Sequence, residues 1–370
     1  MSAIGRHVSK LSGYAPALPT PFNDQDDIDV DAFAHLCDLQ IANGATALVV
    51  CGTTGEAPTL SRPERGELIR IAVGASRGRV PVIAGAGSNA TTQAIELSKV
   101  AEANGADAIL SVVPYYNKPT QEGLYAHYCE VAASTGLPII LYDVPSRAGR
   151  GLADETVARL AEVRQIIGLK DAAGDITRPA RLRALLGLDF RLFSGDDAVA
   201  LAYFAEGGDG CISVTSNVAP ALCRSMFLAW KQGQIARARR LAGSIALLTT
   251  ALFRETNPVP IKYALSLFDL ASPRVRLPAC GAWYTKQGGT RQRPGAALRR
   301  IFGVYDRKDR RICPRRPPRC GGVGAEFLLS TVPRYTPTIR HNAFRINVAF
   351  TRKGLHPSRI RMWLGAHFGR

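Results

Sequence analysis

Hydrophobic positions follow two alternating periods along the first three quarters of the chain. Short apolar runs of five to seven residues, at 14–20, 47–52, 81–87, 108–114, 138–144, 166–171, 191–195 and 210–214, predict buried β-strands. Between them, at 30–43, 62–76, 91–104, 121–134 and 154–163, apolar residues recur every three to four positions. That spacing gathers them on one face of a helix. Two of these stretches run into Asn43-Gly44-Ala45 and Asn104-Gly105-Ala106. A glycine just past a helix end suits a left-handed C-terminal cap. Eight βα units in roughly 220 residues predict an α/β fold, a (β/α)8 TIM barrel, over residues 1–218. A doubly wound open sheet shares the alternation. Its dinucleotide fingerprint is missing, because Gly85-Ala86-Gly87-Ser88-Asn89-Ala90 lacks the third glycine. Residues 219–278 carry no strand signal and predict a helical appendage with helices at 221–232, 235–253 and 260–268. From residue 279 onward neither period is present, and Arg311-Ile312-Cys313-Pro314-Arg315-Arg316-Pro317-Pro318-Arg319 is typical of that tail.

Charge separates the same two parts. The net charge of +17 suggests a nucleic-acid partner until it is located. Residues 279–370 hold 20 Lys and Arg against 3 Asp and Glu, leaving 27 basic and 27 acidic side chains for the first 278 residues. The body is electrically neutral. Its five cysteines, Cys37, Cys51, Cys129, Cys211 and Cys223, form no CxxC pair or zinc spacing and read as small hydrophobes of a reducing compartment. With no apolar leader at residues 1–14 and no run of ~18 apolar residues, the expected location is the cytoplasm, away from membranes.

Candidate chemistry collects where the strands end, which in a barrel is the catalytic rim. Lys170 closes the run Ile166-Ile167-Gly168-Leu169-Lys170-Asp171. Its stem could lie on apolar surface with the ammonium in water. Alternatively the amine is desolvated, which favours the neutral form that attacks carbonyl carbon. Gly52-Thr53-Thr54-Gly55-Glu56 follows the second strand, either as an ordinary polar loop or as a tight turn whose amides cradle an anion. Tyr115-Tyr116-Asn117, Tyr142-Asp143-Val144-Pro145-Ser146-Arg147 and Ser194-Gly195-Asp196-Asp197 follow later strands. The body's histidines, His7, His35 and His127, lie at no strand end, and His35 and His127 read as helix surface. Ser-His-Asp catalysis and a histidine metal site are therefore not expected. Lysine, tyrosine and threonine remain, a set suited to amine covalent chemistry with hydroxyl proton relays.

Together with Gly168-Leu169-Lys170-Asp171, these motifs resemble the pyruvate-dependent class I aldolase family, in their order and barrel spacing, from about residue 14 to about residue 278. The resemblance is strongest to the branch that condenses pyruvate with aspartate semialdehyde in lysine biosynthesis. It implies that Lys170 forms a Schiff base with pyruvate, whose carboxylate Thr53 and Thr54 hold. It also implies that Tyr142 shuttles protons, and that Thr53 links it to Tyr116 supplied by a neighbouring subunit of a homo-oligomer, a dimer of dimers. Arg147 would pair with the aldehyde substrate's carboxylate, and Gly195 and Ile212 would lend backbone carbonyls. No metal or organic cofactor is implied. Two departures stand out: the family usually has asparagine at Asp143, and the tail does not resemble its last helices. Lysine-sensitive members carry histidines and a glutamate where Arg62, Arg65 and Gln93 align, although Asn89 and Tyr115 are kept, so lysine inhibition is expected to be weak.

Two other readings compete with this one. A sibling aldolase acting on N-acetylneuraminate or a 2-keto-3-deoxy sugar acid would share the lysine, but Arg147 favours a small carboxylated aldehyde. A nucleic-acid-binding role through the basic tail would leave Lys170, Tyr142, Thr53 and Tyr116 unexplained. The tail itself reads as a non-native extension, an out-of-frame translation of a GC-rich gene, in preference to a true basic arm.

Overall fold

The computed structural model describes residues 11–280. The expected tail, residues 279–370, lies outside the described residues except for Ala279 and Cys280. Eight strands form one parallel sheet: β1 (Gly13–Pro16), β2 (Leu48–Val50), β3 (Val82–Gly85), β4 (Ala108–Val112), β5 (Ile139–Asp143), β6 (Ile166–Asp171), β7 (Arg191–Ser194) and β8 (Gly210–Ser213). From β2 to β8 each pairs with the next in sequence, β1 pairs with β8, and an isolated bridge between Ala17 and Val49 links β1 to β2 and closes the ring. The architecture is the TIM barrel that the alternation predicts.

Helices α1 (Val30–Ala42), α2 (Arg62–Ser76), α3 (Thr91–Ala103), α4 (Gln121–Ala133), α5 (Asp154–Ala161), α6 (Arg178–Leu186) and α7 (Ala200–Ala205) connect the strands. Local chemistry starts and stops them. The Asp29 carboxylate accepts from Ala32 N at α1, and Ser61 and Glu64 form a reciprocal capping box at α2. Gly44 and Gly105 adopt φ of 86° and 83°, as the helix-end reading requires. Three appendage helices follow, α8 (Pro220–Lys231), α9 (Ile235–Leu252) and α10 (Val259–Ser266), within one or two residues of the predicted bounds. Among the described residues no helix is long and apolar enough to cross a membrane.

Two apolar layers hold the barrel. The inner one combines small residues (Ala15, Ala17, Ala47, Ala108) with Ile83, Leu110, Ile140, Phe193 and Ile212, so the ring is filled by side chains. The outer one packs strands such as Ile139, Leu141 and Leu169 against the helices. The reading of His127 as surface is overturned. It is buried on α4, one turn from Leu124 and Val131 on the same face, with Nδ1 2.9 Å from Thr91 Oγ1. Burial lowers its pKa to about 4. His35 is exposed, as expected.

The pairing of β5 with β6 determines which way Lys170 faces. Ile139 pairs with Ile166, but Ile140 pairs with Gly168, so Ile167 is an extra residue, a β-bulge. Ile139 and Ile166 both pack in the outer layer, whereas Ile167 packs against the inner one. Strict alternation from Ile166 would put Lys170 on the outer face. The extra residue restores the inward direction. Gly168 meets the need for space beside it, because a Cβ there would lie 2.6 Å from Arg191 O.

Candidate active site

Lys170 and Tyr142 are paired residues of β6 and β5, and both face the barrel interior near its C-terminal rim. Lys170 is 5% exposed, which favours the desolvated amine over a stem lying at the surface. Its Nζ sits 4.1 Å from the centre of the Tyr142 ring, over the electron-rich face. Gly195 borders the lysine stem. A Cβ at that position would stand 3.1 Å from Lys170 Cε, so a side chain there would crowd the amine. Ile212 is fully buried in the same inner layer.

The loop after β2 closes on itself. The amides of Gly55 and Ala57 donate to Gly52 O, and that of Glu56 donates to Thr53 O. These bonds use neither the Thr53 nor the Thr54 amide, leaving a turn suited to receive an anion. Thr54 is buried, and its Oγ1 accepts from Asn257 Nδ2 at 3.0 Å. Arg147, exposed on the helical turn Pro145–Ala148, donates from Nη2 to Asn257 O at 3.2 Å. Asn257 thus joins Thr54 of the β2 loop to Arg147. It was missed in the sequence, where an Asn-Pro dipeptide reads only as a turn.

A second missed residue braces the same loop. Lys262 on α10 is completely buried and donates to Glu56 Oε1 at 2.6 Å, with its Nζ 4.2 Å from the centre of the Phe22 ring. Burial pulls its amine down to about 8, against the opposing charge and hydrogen bond of Glu56. Glu56 itself holds φ of 57° and accepts from Arg276 N through its other oxygen.

Tyr116 is not brought to the site within one chain: it is 89% exposed at φ of 73°. The Ser194-Gly195-Asp196-Asp197 motif divides between two tasks. Gly195 borders Lys170, whereas buried Asp197 accepts from Ser213 Oγ and from the amides of Val214 and Thr215, bracing the end of β8. The extra charge of Asp143 does not face Tyr142. It lies on the opposite face of β5, where Arg178 Nη1 reaches its Oδ2 at 2.8 Å. Among the described residues, no group of three or more His, Cys, Asp or Glu is placed to hold a metal ion. Burial pushes the thiols of Cys37 and Cys51 up to about 12, in keeping with their reading as small hydrophobes.

Comparison with known proteins agrees with this geometry. Residues 10–288 match the Dihydrodipicolinate synthetase family, a span slightly longer at both ends than that of the motifs. The 4-hydroxy-tetrahydrodipicolinate synthase of Rhodospirillum centenum is 50% identical over 266 residues, covering 72% of this chain and 91% of that protein. The enzyme of the same name from Gluconobacter oxydans is 46% identical over 293 residues, covering 79% and 97%. Among solved structures, the chloride-inhibited dihydrodipicolinate synthase of Acinetobacter baumannii complexed with pyruvate superposes with a TM-score of 0.74. It is 40% identical, with 80% of this chain and 99% of that one covered.

Proposed function

The chain belongs to the dihydrodipicolinate synthetase family and has 4-hydroxy-tetrahydrodipicolinate synthase activity in lysine biosynthesis, and from that premise we propose what its individual residues do. The substrates are pyruvate and aspartate semialdehyde. Lys170 attacks the pyruvate keto carbon and water leaves, giving an imine. Loss of a proton from the methyl carbon gives an enamine, which attacks the aldehyde carbon of the second substrate. That substrate's amine then displaces Lys170 as the ring closes. The amine emerging from an inward-facing strand end, 5% exposed and stacked on Tyr142, is the observation that carries this assignment. Incubating the protein with pyruvate and borohydride is expected to add the mass of a reduced pyruvate adduct to the Lys170 peptide. Modification at another lysine would overturn it.

The surroundings support the remaining roles. Thr53, Thr54 and the free amides of their turn hold the pyruvate carboxylate, and Tyr142 moves protons at the carbinolamine and imine. Gly195 and Ile212 lend backbone carbonyls beside the reacting centre. Tyr116 serves a second copy of the chain: an aromatic ring left 89% exposed at positive φ suits insertion into a partner's site within a homo-oligomer, a dimer of dimers.

Arg147 selects the aldehyde. Its exposed guanidinium gives one Nη2 hydrogen to Asn257 O and keeps its remaining donors for a carboxylate. Arg147→Ala is expected to raise KM for aspartate semialdehyde by about 10- to 100-fold, the equivalent of one charge-assisted hydrogen bond, with little change for pyruvate. Equal losses for both substrates, in steady-state kinetics, would make the residue structural.

Lysine is expected to inhibit weakly. Arg62 is taken up by Glu96, Arg65 donates to the carbonyls of Ala57, Leu60 and Gly85, and Gln93 accepts from Ser88 at 2.6 Å. None of the three aligned side chains offers an anion to an incoming ammonium group. Strong inhibition at sub-millimolar lysine in the coupled assay would contradict this.

A further inference from the structure

We propose that Arg178 is a positioning residue for the reaction, bridging Asp143 and Asp171 so as to set the geometry of Tyr142 and Lys170 from behind the sheet. The proposal deepens the assignment of those two residues and rests on it.

The bridge is built from neighbours. Asp143 directly follows Tyr142, Asp171 directly follows Lys170, and the two aspartates face each other across β5 and β6 as the catalytic pair does. Alternation sends their side chains outward, to the first turn of α6. There Arg178, 3% exposed, donates from Nη1 to Asp143 Oδ2 at 2.8 Å and to Asp171 Oδ1 at 3.3 Å. Its Nε donates to Asp154 Oδ1 at 2.9 Å, and its Nη2 to Leu152 O at 2.7 Å. One guanidinium therefore holds both strand ends and the segment after β5 that leads away from Arg147.

Three considerations favour a geometric role over a purely stabilising one. First, buried ion pairs are poor stabilisers, because desolvation offsets most of their attraction. Here the carboxylates of Asp143, Asp154 and Asp171 meet one cation, and Asp143 Oδ1 and Asp171 Oδ2 have no hydrogen-bond partner. Burial accordingly raises both carboxyl pKa values, with Arg178 opposing. An apolar filling would be the more stable solution. Second, the β5–β6 ladder ends at this pair, with Ala172 N donating to Asp143 O as its last bond. Beyond it, the bridge ties the two strand ends together through their side chains. Third, covalent attack is sensitive to placement, so a shift of about 1 Å at the amine is expected to cost on the order of 100-fold in rate.

Two variants test the proposal. In the first, Arg178→Gln is combined with Asp143→Asn and Asp171→Asn, removing the three most buried charges together; Asp154 keeps Arg181 as its partner, so that no buried ion is left unpaired. In the second, Arg178→Lys keeps the positive charge but offers a single nitrogen that cannot reach all four partners. Both are expected to lower kcat by ~10-fold or more, with KM for pyruvate within about threefold of the wild type. Lys170 should still be trapped by borohydride, more slowly. A kcat within about twofold of the wild type in either folded variant would overturn the proposal. If the triple variant does not fold, Arg178→Lys decides by the same criterion. Failure to trap Lys170 in the wild type would instead remove the catalytic assignment, and the bridge's role with it.

Discussion

Lys170→Ala is expected to abolish both turnover and borohydride trapping with pyruvate while leaving the barrel folded. No other described side chain can replace it. Lys262, the other buried amine, is held by Glu56 on the far side of the β2 loop, in contact with Phe22. Truncation removes a side chain that makes no salt bridge, so the loss of stability should be small beside the loss of chemistry. Circular dichroism and mass spectrometry on the borohydride-treated variant separate the two effects. Persistent trapping at the wild-type level would reject Lys170 as nucleophile. Tyr142→Phe provides the contrast: the ring that packs on the amine is kept and the hydroxyl is lost. Trapping should survive, and turnover should fall by ~100-fold or more, the usual scale for a lost general acid–base.

Lys262→Met is expected to be the most destabilising substitution in the appendage, by ~3–5 kcal/mol. The methionine would fill the space, but it would leave the Glu56 carboxylate buried opposite an apolar side chain. Thermal unfolding should shift downward by about 10 °C or more. Adding Glu56→Gln to the same chain should recover much of that loss, since the amide needs no counter-charge and can still accept from Arg276 N. An unchanged melting temperature in the single variant would mean that the pair contributes nothing. Because Glu56 closes the turn that carries Thr53 and Thr54, the surviving activity of the single variant should show a raised KM for pyruvate.

The barrel was legible in the sequence because its signals are local. Each strand is a short apolar run, each helix has one apolar face, and the apolar run at 166–171 coincides with β6. Other apolar runs extend past their strands where the ladder gives way to single bonds. The run at 14–20, for example, ends as a strand at Pro16, beyond which Ala17 and Leu18 make isolated contacts with Val49. The cluster of Lys170, Tyr142 and Gly195 was also legible, because motif and strand end coincide. What escaped were ties between distant parts of the chain. Glu56 and Lys262 are 206 positions apart, and no periodicity connects them. One clue was present: α10 reads Val-Pro-Ile-Lys-Tyr-Ala-Leu-Ser, with no polar face on which a lysine could sit. For His127 the local signal was present: residue type suggests surface, but its position beside Leu124 and Val131 places it on the apolar face. Arg178 was invisible because a charged residue at the start of a helix ordinarily faces solvent.

The register of β6 makes the enzyme depend on a count as well as on an identity. Deleting Ile167 would leave a strand that alternates regularly, with Ile166 and Leu169 outward and Gly168 and Lys170 inward, so the lysine would keep its direction. Deleting Leu169 would change parity: Lys170 would remain in the chain, directly after Gly168, and project among the helices. A relative can therefore keep the lysine and lose the reaction through a three-nucleotide deletion past the bulge. Inheritance of activity along this lineage is then a matter of spacing, and a lysine aligned to Lys170 signals a working enzyme only where it stands two residues after the glycine paired with Ile140.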